Sequence, residues 1–298
     1  MASVILGISI TGQSIHAVEM AKNGLNSTMH AIDEWENPFA IGYDEPDAHA
    51  LELFTEYLAA FMKVNQAKSR AASIALDTGS LFIHRMPIEE TTTDAAISEH
   101  IRWEIDQYFP NLSSSEFISD YHRMSRFPSV RLNEILSVSI RRKTARAIEE
   151  VLNTLGLKLH ILDADHFSAE TALRMNYPDS LRRHITLIGI KANRLDVSLL
   201  KNGNLESYSH IIVESQADIA EQIGKLSRDQ AGVFSIVTYG PALDSELLQQ
   251  IRRSSATLVE ALNPLRQVAI ADSLRVADRL STPSYRFAAA IGVALRRD

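Results

Sequence analysis

The sequence predicts an α/β protein made of two copies of one lobe, and three observations lead there. The order strand, strand, strand, helix, strand occurs between Val4 and Leu76 and again between His184 and Val237. Each copy opens with two apolar runs joined by a short turn of small or polar residues. The chain also has 298 residues, 45% of them hydrophobic, a length at which one core begins to split into two. Repetition of a whole element order outweighs local propensity in deciding a fold, so the duplication is weighed most heavily.

In the first copy, Met1 to Gly7 carries no positively charged leader and reads as a strand running on to Ile8. Ser9 to Ser14 is its turn, and Ile15, Ala17, Val18 and Met20 form the returning strand. Asn23-Gly24 turns the chain again, and an alternating run through Met29 and Ile32 reaches Trp35. Leu51, Phe54, Leu58, Phe61 and Met62 make one apolar helical face. Ala71 to Leu76 and Leu81 to Met86 read as strands with Asp77-Thr78-Gly79-Ser80 between them.

From Asp94 a helix places Ile97, Ile101, Ile105 and Tyr108 on one stripe and stops before Pro110. Strands follow at Phe117 to Met124 and Ile135 to Ile140, then a helix from Thr144 to Leu155 that ends at Gly156. Leu157 to Leu162 is a strand, and Asp165 can cap the helix that continues to Met175.

The second copy begins at His184 to Ile190, turns at Lys191 to Arg194, and returns through Val197 to Leu200. Asn202-Gly203 turns into a third strand, Leu205 to Ile212; a helix over Ile219 to Leu226 and a strand over Val233 to Val237 follow. No low-complexity linker separates the copies, so they are expected to pack together with a cleft between them.

Composition excludes several functions. Thirty Lys and Arg against 37 Asp and Glu leave a formal charge of -7, which argues against a nucleic-acid partner. With 0 cysteines, disulfides, thiolate metal sites and cysteine catalysis are absent. No apolar run approaches the roughly 20 residues of a membrane-spanning helix, and a cytosolic location is expected.

Specific stretches point further. Gly7-Ile8-Ser9-Ile10-Thr11-Gly12-Gln13-Ser14-Ile15-His16-Ala17-Val18-Glu19-Met20 and Ile101-Arg102-Trp103-Glu104-Ile105-Asp106-Gln107-Tyr108-Phe109-Pro110 stand in order with Leu262-Asn263-Pro264 and the apolar end Ala288 to Leu295. They resemble, across almost the whole chain, the PilM family of actin-like proteins of type IV pilus assembly, related to FtsA. The matching family patterns are G-x-D-I-G-x-x-S-I-K-A-V-E-L, I-R-W-E-x-x-Q-Y-I-P, L-N-P and A-x-A-x-G-L-A-L. The resemblance implies duplicated actin-like (ribonuclease H-like) lobes with a small inserted α+β subdomain. The first lobe would span 1–176, with the strand-helix-strand insertion over about 80–155, and the second lobe 177–298. It also implies a partner: the cytoplasmic tail of a bitopic inner-membrane protein of the PilN kind, with other pilus or secretion components beyond it. Through that partner the protein would be recruited to the inner face of the inner membrane.

Against the family pattern the nucleotide site is eroded. Phosphoryl transfer is mostly positioning and charge neutralisation, and Mg²⁺, held through carboxylates, supplies much of the latter. The resemblance places an Asp where this chain has Ser9, a Gly where it has Thr11, although Gly12 is adjacent, and a Lys where it has His16. The second hairpin's D-I-G-A-T becomes Gly189-Ile190-Lys191-Ala192-Asn193, with Asp196 still matching. The adenosine-loop glycines become Tyr239-Gly240-Pro241. Hydrolysis is therefore not expected and no cofactor is required. What remains is weak ATP or anion binding at Ser9, Thr11, Gly12, Gln13, Lys191, Asn193, Arg194 and Gly240, against the alternative that Lys191 and Arg194 are exposed turn residues.

Trp103 lies opposite the Ile97-Ile101-Ile105 stripe, so with Arg102 it is a candidate partner anchor, or else packs on the first lobe. Asp163, Asp165 and His166 have a metal-like composition without a full ligand set, and no metal site is expected. Arg141-Arg142-Lys143 reads as the start of a solvated helix. Two readings stay open: a non-catalytic scaffold that binds a peptide tail, and a nucleotide-dependent ATPase or switch with a divergent site.

Overall fold

The computed structural model describes residues 3–24, 26–37, 47–124, 133–229, 232–276 and 282–296; Met1 and Ala2, read above as part of the first strand, lie outside them. The first half folds as β1 (Ser3–Ile10), β2 (Ser14–Asn23), β3 (Asn26–Glu36), α1 (Ala48–Asn65), β4 (Ala71–Leu76), β5 (Phe82–Ile88), α2 (Asp94–Tyr108), β6 (Phe117–Arg123), β7 (Asn133–Arg141), α3 (Arg142–Thr154), β8 (Lys158–Ala164) and α4 (Asp165–Asn176). The second half gives β9 (His184–Ile190), β10 (Arg194–Lys201), β11 (Asn204–Ile212), α5 (Gln216–Asp229), β12 (Ser235–Tyr239), α6 (Ser245–Ser254), β13 (Leu258–Ala261), β14 (Val268–Ile270), α7 (Asp272–Val276) and α8 (Ala288–Leu295).

The duplication is visible in the sheets. The first runs β14-β3-β2-β1-β4-β8 and the second β11-β10-β9-β12-β13. Without β14 the two orders are the same, each with its opening strand in the interior. Both β1 and β9 pair antiparallel to the next strand and parallel to the strand after the helix. A strand flanked on both sides and covered on both faces reads as a continuous apolar run, which is what Ile5 to Ile10 and Ile185 to Ile190 supply.

A third, separate sheet, β5-β7-β6, interrupts the first half between β4 and α3. One face of it holds α2: Ile97, Ile101 and Ile105 bury against Met86, Ile88, Phe117 and Ile135. Thr93 caps this helix through the Ala96 N–H, and the Phe109 N–H closes its last turn. Tyr108, assigned above to the buried stripe, is 56% exposed. It stands on the helix's final turn, where its ring leans on Phe82 and His84 of β5 rather than entering the core.

The boundaries differ from the sequence reading in two places. The helix α3 belongs to the lobe rather than to the insertion, because Ile148, Val151 and Leu152 bury with Leu6, Ile74, Phe54 and Leu58. It occupies the same place between β4 and β8 that α6 occupies between β12 and β13. The end of the chain returns to the first lobe: β14 pairs with β3, and Ala290, Ile291 and Ala294 of α8 bury against Val18, Met20 and Met29. Conversely, Ala169, Ala172 and Leu173 of α4 pack on Ile185, Leu187 and Val237 of the second sheet. Each half's final helix thus covers the other half's sheet, and the two helices pack on one another. A Cβ on Gly292 would come 1.7 Å from the Ser168 carbonyl oxygen of α4.

Candidate functional site

The cleft between the lobes is built from turns at the carboxyl ends of parallel strands, where open α/β sheets gather their functional groups. The turns after β1, β4 and β9 meet there. Thr11 folds its own turn: its hydroxyl donates to the Ser14 carbonyl (3.0 Å) and accepts from the Ser14 N–H (3.1 Å). Gly12 donates its N–H to Asp77 (3.1 Å), and the Ala192 N–H donates to the Gln13 side-chain oxygen (3.0 Å), tying the two hairpin turns together. Ser9 is buried in β1 between His16 and Ala75. The carbonyl of Asn193 accepts the Val213 N–H, and its side chain is exposed. Gly240 is buried just past β12, its N–H on the Tyr285 carbonyl.

Lys191 departs most from the expectation of an exposed turn residue. It is 5% exposed, and its ammonium lies 2.8 Å from Asp77, 2.9 Å from Asp165 and 2.9 Å from Asp196. It also donates to the Thr78 hydroxyl (2.7 Å). Thr78 in turn donates its hydroxyl to Asp196 (2.6 Å) and its N–H to Asp165 (3.0 Å). Arg194 and the Tyr208 hydroxyl both donate to the other oxygen of Asp196. Asp165 is therefore not the helix cap; Ala164 holds that position and makes no side-chain cap bond.

The electrostatics follow from burial and these partners. Burial works to lower the Lys191 pKa, but Asp165, Asp196 and Asp77 outweigh it and hold the ammonium charged. Burial pushes Asp165 up to about 7 despite the lysine, with Asp77 and Asp196 adding to the rise. Burial works in the same direction on Asp196, but Lys191, His166 and Arg194 overcome it, so Asp196 stays well below the usual carboxylate range. His166 is brought down to about 4 by burial and sits neutral between Ser198 (2.9 Å) and the Tyr239 hydroxyl (2.9 Å). That hydroxyl fills the space beside Gly189: a Cβ there would lie 2.6 Å from it. The carboxylate the family pattern has at this position is thus replaced by space that Tyr239 occupies.

The structure brings Gly12, Gln13, Lys191 and Arg194 to one place. It adds Asp77, Thr78, Asp165 and Tyr208. The sequence carried one usable signal for Asp77, an acidic turn directly after the parallel neighbour of β1.

Arg102 and Trp103 are elsewhere. Both are exposed on the outer face of α2, Trp103 by 57%, its ring beside His100. They do not line a large groove that encloses about 1040 Å³ between the first lobe and the inserted sheet.

The spacing of the groove's lining residues tells how each element faces it. From β7 come Leu136, Val138 and Ile140, every second residue, so this strand presents a side-chain face as the floor. From α3 come Arg142, Ala145, Arg146 and Glu149, and from α4 Phe167, Glu170, Thr171 and Arg174, each a single helical stripe. From β6 and β8 the lining is consecutive, residues 118–122 and 159–164, as for strands that present their backbone edge. Both are the last strands of their sheets. Two strand edges therefore face one apolar-floored groove, with Arg174 paired to Glu170 and Arg296 to Asp163 on its walls.

The family model described as "Type IV pilus assembly protein PilM" matches residues 7–209. No curated protein matches the sequence. Among solved structures, a "PilM-PilN type IV pilus biogenesis complex" superposes with a TM-score of 0.79 at 16% identity, covering 98% of this chain and 97% of that one. The cytoplasmic domain of EpsL, an inner membrane component of the type II secretion system of Vibrio cholerae, gives 0.52 at 11% identity over 95% and 100%. A Bacteroides thetaiotaomicron protein with an actin-like ATPase fold gives 0.52 at 11% identity over 88% and 91%. These likenesses establish the actin-like fold, and with the family match covering more than half of the sequence, the chain belongs to the PilM family of type IV pilus assembly proteins.

Proposed function

We propose that this protein is a non-catalytic scaffold of a type IV pilus or related secretion machine, and that its groove holds the cytoplasmic tail of a bitopic inner-membrane partner of the PilN kind. The observation that carries the reading is the pair of strand edges, β6 and β8, facing one groove over the apolar face of β7. An extended peptide laid there would take main-chain hydrogen bonds from an edge and place alternate side chains on the floor, the mode of strand addition. The known complex of a similar fold with PilN favours the same class of partner. No described helix is long and apolar enough to cross a membrane, so attachment to the inner membrane would come through that partner. The closed ion network around Lys191 favours the scaffold over an ATPase or switch, because its carboxylates are already engaged within the chain.

The test is titration of a fluorescent peptide carrying the cytoplasmic tail of the PilN-like partner. Ile118 is 42% exposed on β6 at the groove, so Ile118→Asp should fold normally and weaken binding about tenfold, roughly 1.4 kcal/mol. Trp103→Ala should change affinity less than about twofold and leave the melting curve unmoved. The reverse pattern would move the site to the outer face of α2.

A further inference from the structure

The cleft described above is spanned by a cation that the protein supplies itself. Lys191 projects from the second lobe's first turn, Asp77 and Thr78 belong to the first lobe, and Asp165 opens the helix that joins the halves. An ammonium has three N–H donors, and here oxygens of four residues, Asp77, Thr78, Asp165 and Asp196, lie within 2.7–2.9 Å of it. Two other bonds run in parallel across the cleft, Thr78 to Asp196 and Ala192 to Gln13. The carboxylates of Asp165 and Asp196 are 2% and 0% exposed. Buried charges of one sign this close are tolerated only with a counter-charge between them.

We infer that Lys191 is a built-in clasp: its ammonium takes the place of a bound ligand or metal cation and holds the two lobes together in the resting protein. Several features of the sequence fit one device under this reading. The carboxylates of Asp77, Asp165 and Asp196 have a use although no hydrolysis is expected, because they are the clasp's receptor. Arg194 and Tyr208 brace Asp196 from its second oxygen. Tyr239 closes the space beside Gly189 on the same wall, so the cleft is filled by side chains from both halves. The inference is independent of what the groove binds, since it concerns closure of the lobes alone.

The experiment uses the full chain with Lys191→Met, which keeps the length and apolar stem but removes the charge. It should lower the melting temperature by about 6 °C or more and raise the radius of gyration in small-angle scattering, as the uncompensated aspartates separate the lobes. A second variant combines Lys191→Met with Asp165→Asn, removing one buried negative charge along with the positive one. It should recover at least half of the lost melting temperature and the compact scattering profile. If Lys191→Met melts and scatters like the wild type, the clasp does not exist. If the double variant is no better than the single one, including the case where neither folds, the lysine acts through packing and the inference is overturned.

Discussion

Asp165 is a residue whose charge state is set by its burial in the cleft. Its pKa in the unfolded chain is near 3.8, and burial raises it to about 7 in the folded protein. Below pH 4 the group is protonated in both states and contributes nothing. As pH rises toward 7 the unfolded chain releases the proton first, so folding loses stability, and above about 7 the loss is complete. Asp196, held low, contributes in the opposite sense: its stabilisation is present above pH 4 and lost in acid. Asp165→Asn removes only the first effect. Relative to wild type, the variant should therefore gain about 1 kcal/mol or more between pH 5 and pH 8 in denaturant melts, and a flat difference would show that Asp165 is ionised throughout. This residue also shows how far the sequence can be read. The carboxylates missing at Ser9 and Gly189 are plain once the two hairpins are set against the family pattern. The inward course of Lys191 is not, because the three aspartates that draw it in stand at 77, 165 and 196, two of them distant in sequence and joined only by the fold.

Among the elements, periodicity gave the apolar faces and left their destinations open. The stripe Ile97-Ile101-Ile105 is buried as spaced, whereas Tyr108 fails because a helix's last turn is free to turn its side chain along the sheet surface. Nothing in the residues of α3 assigns it to the lobe rather than to the insertion, since an amphipathic helix states which face it buries and not which core receives it. The same holds for α8, whose eight residues are all buried: such a helix must be enclosed, but nothing local says that the first lobe encloses it. Its contact with α4 depends on the missing side chain at Gly292. Adding one methyl there would place a carbon 1.7 Å from the Ser168 carbonyl oxygen, and neither helix can move without disturbing a sheet. Gly292→Ala should therefore cost about 3 kcal/mol or more, the upper range for overpacking, read as a shifted denaturation midpoint. Loss of under about 1 kcal/mol would mean that the helices slide apart easily.

At the scale of the whole molecule, the cleft and the groove differ in what fills them. The cleft between the lobes is occupied by Lys191, Thr78, Tyr239 and their hydrogen-bonded partners, while the groove beside the inserted sheet is open and lined by two strand edges. Both are assembled from segments far apart in the chain, which is why neither is legible as a single stretch of sequence. A nucleotide-driven switch would need Mg²⁺ and phosphate to enter the cleft and change the groove, and a ligand shifts an equilibrium only by its differential affinity for the two states. Here Mg²⁺ would have to displace an ammonium already ion-paired with three carboxylates, and a phosphate would meet those same carboxylates. Affinity for the tail peptide should consequently be the same, within about twofold, with and without Mg²⁺-ATP, and ATP turnover should match a protein-free control. The comparison belongs in one titration series, because the two lobes share α4: Asp165 and His166 face the cleft, and Phe167, Glu170 and Arg174 line the groove. Any nucleotide that did enter would pull on Asp165 and be felt by the groove one turn away. A tenfold or larger change in peptide affinity, about 1.4 kcal/mol of coupling, would therefore establish a working switch and overturn the scaffold reading, even if hydrolysis were absent.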